Sequence, residues 1–148
     1  MSHRFPLSVT WTGDTLASTY GRDALLQSPG KPAIPASSAP QYAGDPARWN
    51  PEDLLGSALA TCHMLTFLAL CAKAKVQVKA YEDHAEAELD TVDKVTRITR
   101  VHLRPTIRVA PGTSQAKVVD LFEKAHKYCF IANSVTCEAV MAPRVVEA

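Results

Sequence analysis

Several things are missing from this chain, and each absence removes a class of function. None of the four cysteines falls in a C-x-x-C pair, so neither a zinc ribbon nor a thioredoxin-like dithiol is indicated. There is no Lys/Arg-rich block, and the formal net charge is +1, so the electrostatic footprint of a nucleic-acid binder is absent. The N-terminal MSHRFPLSVTWTG lacks the apolar core of a signal peptide. The expected compartment is therefore the cytoplasm, where thiols stay reduced. Repeats and low-complexity tracts are also missing. At 148 residues the chain is expected to form a single domain, 1–148, with a core of its own.

What the chain does have is one long uncharged run, Leu54 to Ala72, with Cys62 in its middle. Asn50 suits the cap of a helix there, and Pro51 suits the first helical position, where a missing N–H costs nothing. Glu52 and Asp53 add negative charge to the unpaired N–H groups of the first turn. The run is long enough to cross a bilayer. However, Gly56, Ser57, Thr61, His63 and Thr66 dilute it, and no basic cluster precedes it. A central protein helix is the expectation, with no membrane partner. A helix apolar on nearly every side must be covered, and one small domain supplies little cover, which points to a homodimer.

Around this helix the pattern is mixed. Leu7–Trp11 and Leu16–Tyr20 read as strands of a hairpin turning at Gly13-Asp14, with a short strand possible at Ala24–Gln27. Ser28 to Trp49 holds five of the chain's ten prolines and should be irregular, with its Arg48-Trp49 end ordered. Val76–Leu89 reads as one long strand. From Arg97 to Val109, Val101, Leu103, Pro105, Ile107 and Val109 alternate with polar residues, the signature of a strand with one wet face. Pro105 implies an edge or a bulge, and Thr91–Lys94 a turn. Ser114 caps a second helix, Gln115–Tyr128, whose apolar stripe (Val118, Leu121, Phe122, Ala125) continues to Cys129. Val135–Met141 reads as a final strand. The class is α+β.

Cys62 and Cys71 are half a turn out of phase and cannot work as a pair. Cys62 and Cys129 lie on two apolar helix faces that can meet across a core. His63 follows Cys62, and His126 stands one turn before Cys129; a histidine near a thiol favours the reactive thiolate. By ligand type, Cys62, His63, His126 and Cys129 also allow a metal site, although adjacent helix residues seldom converge on one ion. Core packing is the ordinary role of a buried cysteine, and Cys71 and Cys137 are assigned to it.

Two segments resemble one known family, the osmotically inducible protein C and organic hydroperoxide resistance proteins (OsmC/Ohr). Asn50-Pro-Glu52-Asp-Leu-Leu followed by Ala60-Thr-Cys62 is similar to the family's first motif, and Ala125-His-Lys-Tyr-Cys129-Phe-Ile-Ala-Asn133 to its second. The resemblance implies an OsmC-like fold: an intertwined homodimer with central buried helices wrapped by antiparallel β-sheets. It also implies a thiol peroxidase for organic hydroperoxides, with Cys62 peroxidatic and Cys129 resolving. Such an enzyme needs no metal or haem, only an external dithiol reductant, lipoyl-type by resemblance. Glu52 then pairs with an arginine that polarises the peroxide. Arg22 sits where the family's arginine is expected, and Arg48, four residues before Glu52, is the rival. His63 and His126 are candidate binding residues. His63, Phe130-Ile131 and the long Ser28–Trp49 loop depart from the Ohr pattern and point to an OsmC-like branch. The alternative is a non-enzymatic binder of an apolar or thiol-bearing small molecule.

Overall fold

The computed structural model describes all 148 residues. The chain comprises two compact units, residues 1–54 and 55–148.

The first unit is a three-stranded antiparallel sheet in the order β1 (Ser8–Thr10), β2 (Ala24–Gln27), β3 (Ile34–Ala36). The hairpin expected at Gly13-Asp14 does not form: β1 pairs with Ala24–Gln27, and Leu16–Tyr20 is loop. Local side-chain bonds explain the difference. Asp14 Oδ1 accepts the Leu16 N–H at 2.9 Å, an Asx turn that takes the backbone out of extended geometry. Trp11 Nε1 donates to the Gly21 carbonyl at 2.8 Å and closes the loop across its base. Leu16 is 92% exposed, so nothing rewards a strand there. The proline-rich stretch is irregular apart from β3 and one 3-10 turn at Pro40–Tyr42, and its Trp49 end is ordered. There the Trp49 carbonyl accepts the Ser37 N–H at 2.9 Å.

The long helix, α1, runs Pro51–Lys73 and continues from the first unit into the second. Its start is a reciprocal capping pair: Asn50 Oδ1 accepts the Asp53 N–H at 2.8 Å, and Asp53 Oδ2 accepts the Asn50 N–H at 3.1 Å.

In the second unit, α1 buries Gly56, Leu59, His63, Phe67 and Cys71, a stripe at helical spacing. Leu59, Phe67 and Cys71 join the core with Val101, Leu103, Ile107, Val109 and the stripe Val118, Leu121, Phe122, Ala125 of α2 (Gln115–Tyr128). Gly56 has a packing role, since a Cβ there would come 3.2 Å from that of Ala87. The rest of α1 is not covered. Its apolar surface passes the length and hydropathy of a membrane span, yet only 28% of that window is buried, and Leu65 is 57% exposed.

Val76–Leu89 is two strands rather than one, β4 (Val78–Asp83) and β5 (Glu86–Val92), broken at His84-Ala85. The alternating run also divides, into β6 (Val95–Leu103) and β7 (Pro105–Val109), at Arg104. Pro105 is neither at an edge nor in a bulge. It is the first residue of β7, the middle strand of β4-β7-β9, where a strand tolerates a missing donor. The turn between β5 and β6 holds Asp93 and Lys94 at φ 51° and 67°, which fits the twist of a tight hairpin. The final strand is shorter than expected, β8 (Glu138–Met141), and a further one, β9 (Arg144–Glu147), follows. Both run parallel to their neighbours β6 and β7, so the two sheets of this unit are mixed where the resemblance implies antiparallel ones.

Candidate active site

Cys62 lies on α1, half-buried, and Cys129 is the fully buried residue that ends α2. Both are free thiols, and they are near enough for each to shift the other's proton affinity. The meeting across the core expected from the two apolar faces therefore takes place. Helix α2 stops because Cys129 leaves helical geometry at φ −68°, ψ 117°, while its N–H still closes the last turn on Ala125. The chain then folds back over α1, and Asn133 Nδ2 holds the Lys127 and Cys129 carbonyls at 3.0 and 3.1 Å.

The surroundings separate the two sulfurs chemically. Burial alone would push the Cys62 thiol up. The neighbouring Ile131 peptide, Cys129 side chain, Phe130 peptide and Thr66 together outweigh burial and leave Cys62 below an ordinary thiol. Cys129 goes the other way. Burial and the adjoining Cys62 hold its proton on, despite the Ala132 N–H that reaches its Sγ at 3.4 Å. Cys62 therefore gives up its proton more readily than Cys129. Cys71 is pushed up to about 11 by burial and is chemically quiet, as a packing role requires.

His63 does not face this pair. Its ring is 0% exposed and stacks on Phe122 with centroids 4.4 Å apart. Burial, with His126 nearby, lowers it to about 4, so the ring is neutral, and neither nitrogen has a hydrogen-bond partner. The expectation of a binding role for His63 meets a core side chain instead. His126 is half-buried with Nδ1 unpartnered. No three His, Cys, Asp or Glu side chains converge on one point, so the four-residue metal set is not assembled.

In the first unit, Arg22 and Glu52 line one cavity of about 400 Å³, walled by Val9, Leu26, Tyr42 and Leu54. Glu52 Oε2 is buried there without a hydrogen-bond partner. Arg22 makes no ion pair. It donates to the Tyr20 carbonyl at 2.9 Å and lies over the Tyr20 ring at 4.2 Å. Arg48 is already committed, pairing with Asp23 at 3.4 Å and Asp45 at 3.8 Å. Of the two candidates, Arg22 is the one without an ion pair and the one that lines the cavity of Glu52.

Sequence reasoning passed over two contributors to the cysteine site. Thr66 was legible, because it stands one turn after Cys62 and bonds its carbonyl at 2.8 Å. The peptide N–H groups of Phe130 and Ile131 had no side-chain signal at all.

Comparison with known proteins places this arrangement. Residues 44–142, more than half of the chain, match the family described as OsmC-like protein. Peroxiredoxin OsmC of Escherichia coli strain K12 and that of Shigella flexneri are each 26% identical over 92 residues, 62% of this chain. The chain spans 64% of the length of these relatives. An OsmC-like protein of unknown function from Vibrio cholerae superposes with a TM-score of 0.85 and 32% identity, covering 96% of this chain and 99% of that one. An organic hydroperoxide resistance protein from Legionella pneumophila shares the fold with a TM-score of 0.73 and 19% identity, covering 97% of this chain and 96% of that one.

Proposed function

This chain belongs to the OsmC-like protein family, and we propose that it is a cysteine-based peroxidase reducing organic hydroperoxides, with Cys62 attacking and Cys129 resolving. The observation that carries the reading is a pair of neighbouring thiols, Cys62 shifted below and Cys129 above an ordinary thiol. A nucleophile must reach the thiolate form and its resolving partner must be near, and the lowered Cys62 with Cys129 as its neighbour supports both.

The chemistry balances with these two residues and one external reductant. The Cys62 thiolate attacks the distal oxygen of ROOH. An S–O bond forms, the O–O bond breaks, and the alkoxide takes a proton to leave as ROH. Cys62 is then a sulfenic acid. Cys129, on losing its proton, attacks the Cys62 sulfur, and the hydroxyl leaves as water with a disulfide in its place. An external dithiol, lipoyl-type by resemblance, returns two electrons. No resident cofactor is invoked, and a reducing cytoplasm suits the cycle.

Glu52 and Arg22 take the polarising role in this reading. The buried, unpartnered Glu52 oxygen and the uncommitted Arg22 in one cavity support it, since an Arg–carboxylate pair would satisfy both. Along α1, ten residues separate Glu52 from Cys62, about 15 Å of helix rise. A second copy of the chain, packed on the uncovered face of α1, would bring such a pair to the thiols. The homodimer is thus part of the proposal, and exposed Leu65 supports it. The largely apolar cavity around Arg22 and Glu52 favours a second reading, a small-molecule binder in which the thiols are incidental.

Peroxide titration of the reduced protein separates the two, following free thiols and intact mass in wild type, Cys62→Ser and Cys129→Ser. The enzyme reading expects two thiols lost per chain to a Cys62–Cys129 disulfide, faster with an alkyl hydroperoxide than with hydrogen peroxide. Cys129→Ser should stop at the sulfenic acid or over-oxidise. If Cys62 reacts no faster than an ordinary exposed thiol and no disulfide forms, the binder replaces the peroxidase.

A further inference from the structure

The loop from Trp11 to Asp23, between β1 and β2, stacks four of its own residues against one another. Gly13 lies against the Trp11 indole, so closely that a Cβ there would come 2.5 Å from Trp11 Cζ2. Gly13 has no positive φ, so space for the indole is what calls for glycine at that position. Trp11 and Tyr20 meet edge to face, with ring centroids 6.4 Å apart and planes at 89°. Tyr20 in turn carries the Arg22 guanidinium, whose central carbon stands 4.2 Å from the ring centroid. Two hydrogen bonds tie these side chains to the loop backbone. Trp11 Nε1 donates to the Gly21 carbonyl at 2.8 Å, and Arg22 Nη1 donates to the Tyr20 carbonyl at 2.9 Å.

The stack ends at a cavity that only its last member lines. Arg22 lies in the wall of the Glu52 cavity, whereas Trp11, Gly13 and Tyr20 do not. One Arg22 N–H is used on the Tyr20 carbonyl, and the rest of the fork has no partner in the protein. A long side chain held in one place loses rotamer freedom, so something must hold it. A ring under the planar guanidinium and a carbonyl at its edge do so without neutralising its charge. Carboxylates neutralise as they hold, as Asp23 and Asp45 do for Arg48. We propose that Tyr20, braced by Trp11 and Gly13, is a positioning residue that fixes the Arg22 guanidinium in the cavity wall with its charge and remaining donors available. Tyr20 acts through Arg22 and touches no reacting group. The consequence for catalysis rests on the peroxidase reading; the bracing of Arg22 does not.

Substitutions at Tyr20 separate the ring from the backbone. Tyr20→Leu removes the ring and keeps the carbonyl, while Tyr20→Phe keeps both. Tyr20 is 39% exposed, so neither change opens a core cavity. With both variants shown folded by circular dichroism, Tyr20→Leu should lower kcat for an alkyl hydroperoxide about tenfold at unchanged KM, the scale of a misplaced catalytic group. Tyr20→Phe should stay within about twofold of wild type, because the ring face is retained. In an Arg22→Ala background, Tyr20→Leu should lower the rate no further, since its only route of action is gone. Equal losses in the leucine and phenylalanine variants, or a full further loss on top of Arg22→Ala, would overturn the proposal. A second measurement needs no turnover. In protein labelled with ¹³C-arginine, the δ-CH₂ signal lost in Arg22→Lys is that of Arg22. No other arginine lies over an aromatic ring, so this signal should stand upfield of the rest. It should stay upfield in Tyr20→Phe, return to the common value in Tyr20→Leu, and move toward that value in Gly13→Ala, which displaces the indole. A wild-type signal at the common value, or one that these changes leave in place, refutes the bracing. An upfield Arg22 signal in a protein that consumes no alkyl hydroperoxide would remove the peroxidase reading and leave the bracing of Arg22 standing.

Discussion

Replacing His63 by leucine should flatten the acid sensitivity of this fold. The ring is fully buried, both nitrogens lack partners, and burial has lowered its proton affinity from 6.5 to about 4. Between those values the unfolded chain binds a proton that the folded chain refuses. This group's contribution is therefore complete above pH 6.5 and declines as pH falls toward 4. The full shift corresponds to about 3 kcal/mol, and about 2 kcal/mol is already lost by pH 5. Leucine has similar bulk and no nitrogen to leave unpaired, so His63→Leu should also gain about 1 kcal/mol at pH 7.5. Urea unfolding at pH 7.5, 6.5, 5.5 and 5.0, at one protein concentration, measures both effects. The difference between wild type and variant should widen by about 1.4 kcal/mol for each pH unit below 6. Parallel pH curves for the two proteins, or a His63 resonance titrating near 6.5, would refute the reasoning.

Arg22→Ala should lower hydroperoxide reduction about a hundredfold, the usual effect of losing a donor to developing charge. Arg48→Ala, which breaks half-exposed pairs with Asp23 and Asp45 and a 3.4 Å bond to the Ala24 carbonyl, should cost stability of about 0.5 kcal/mol and leave the rate within about threefold; reversed effects would exchange their roles. Asn50→Ala removes one arm of the cap on α1 and should destabilise by about 1 kcal/mol in urea unfolding, with Asn50→Asp recovering most of it. Leu65→Glu places a charge on the uncovered apolar face of α1, and light scattering, expected to find the proposed dimer in the wild type, should find monomer in the variant. A dimer unchanged in size would place the interface elsewhere.

Both helices were legible in the residues because their determinants are local. Asn50, Pro51 and the charge-free run define α1, and Ser114 with its stripe defines α2 to the residue. The break at Arg104 was less visible. Pro105 signalled a constraint, but whether a proline sits at an edge or opens a central strand depends on which strands flank it, and β9 lies far along the chain. The hairpin at Gly13-Asp14 failed for the opposite reason: local turn chemistry at Asp14 and the Trp11–Gly21 bond outweighed a weak alternation. His63 beside Cys62 looked chemical because it is adjacent in sequence, yet a helix turns adjacent residues about 100° apart and sent that ring into the core.

The sequence by itself determined the class of the fold, the two helices, and the cysteines and motif residues on which the family resemblance rests. These follow from periodicity, capping and short motifs, which act over a few residues. Tertiary structure alone decided that Cys62 and Cys129 are neighbours, that the first thiol is shifted below and the second above an ordinary thiol, and that Arg22 rather than Arg48 lines the cavity of Glu52. It also decided that β8 and β9 add in parallel to strands formed much earlier. Proton affinity and strand order depend on which groups distant parts of the chain bring within a few ångströms, and no local pattern encodes that.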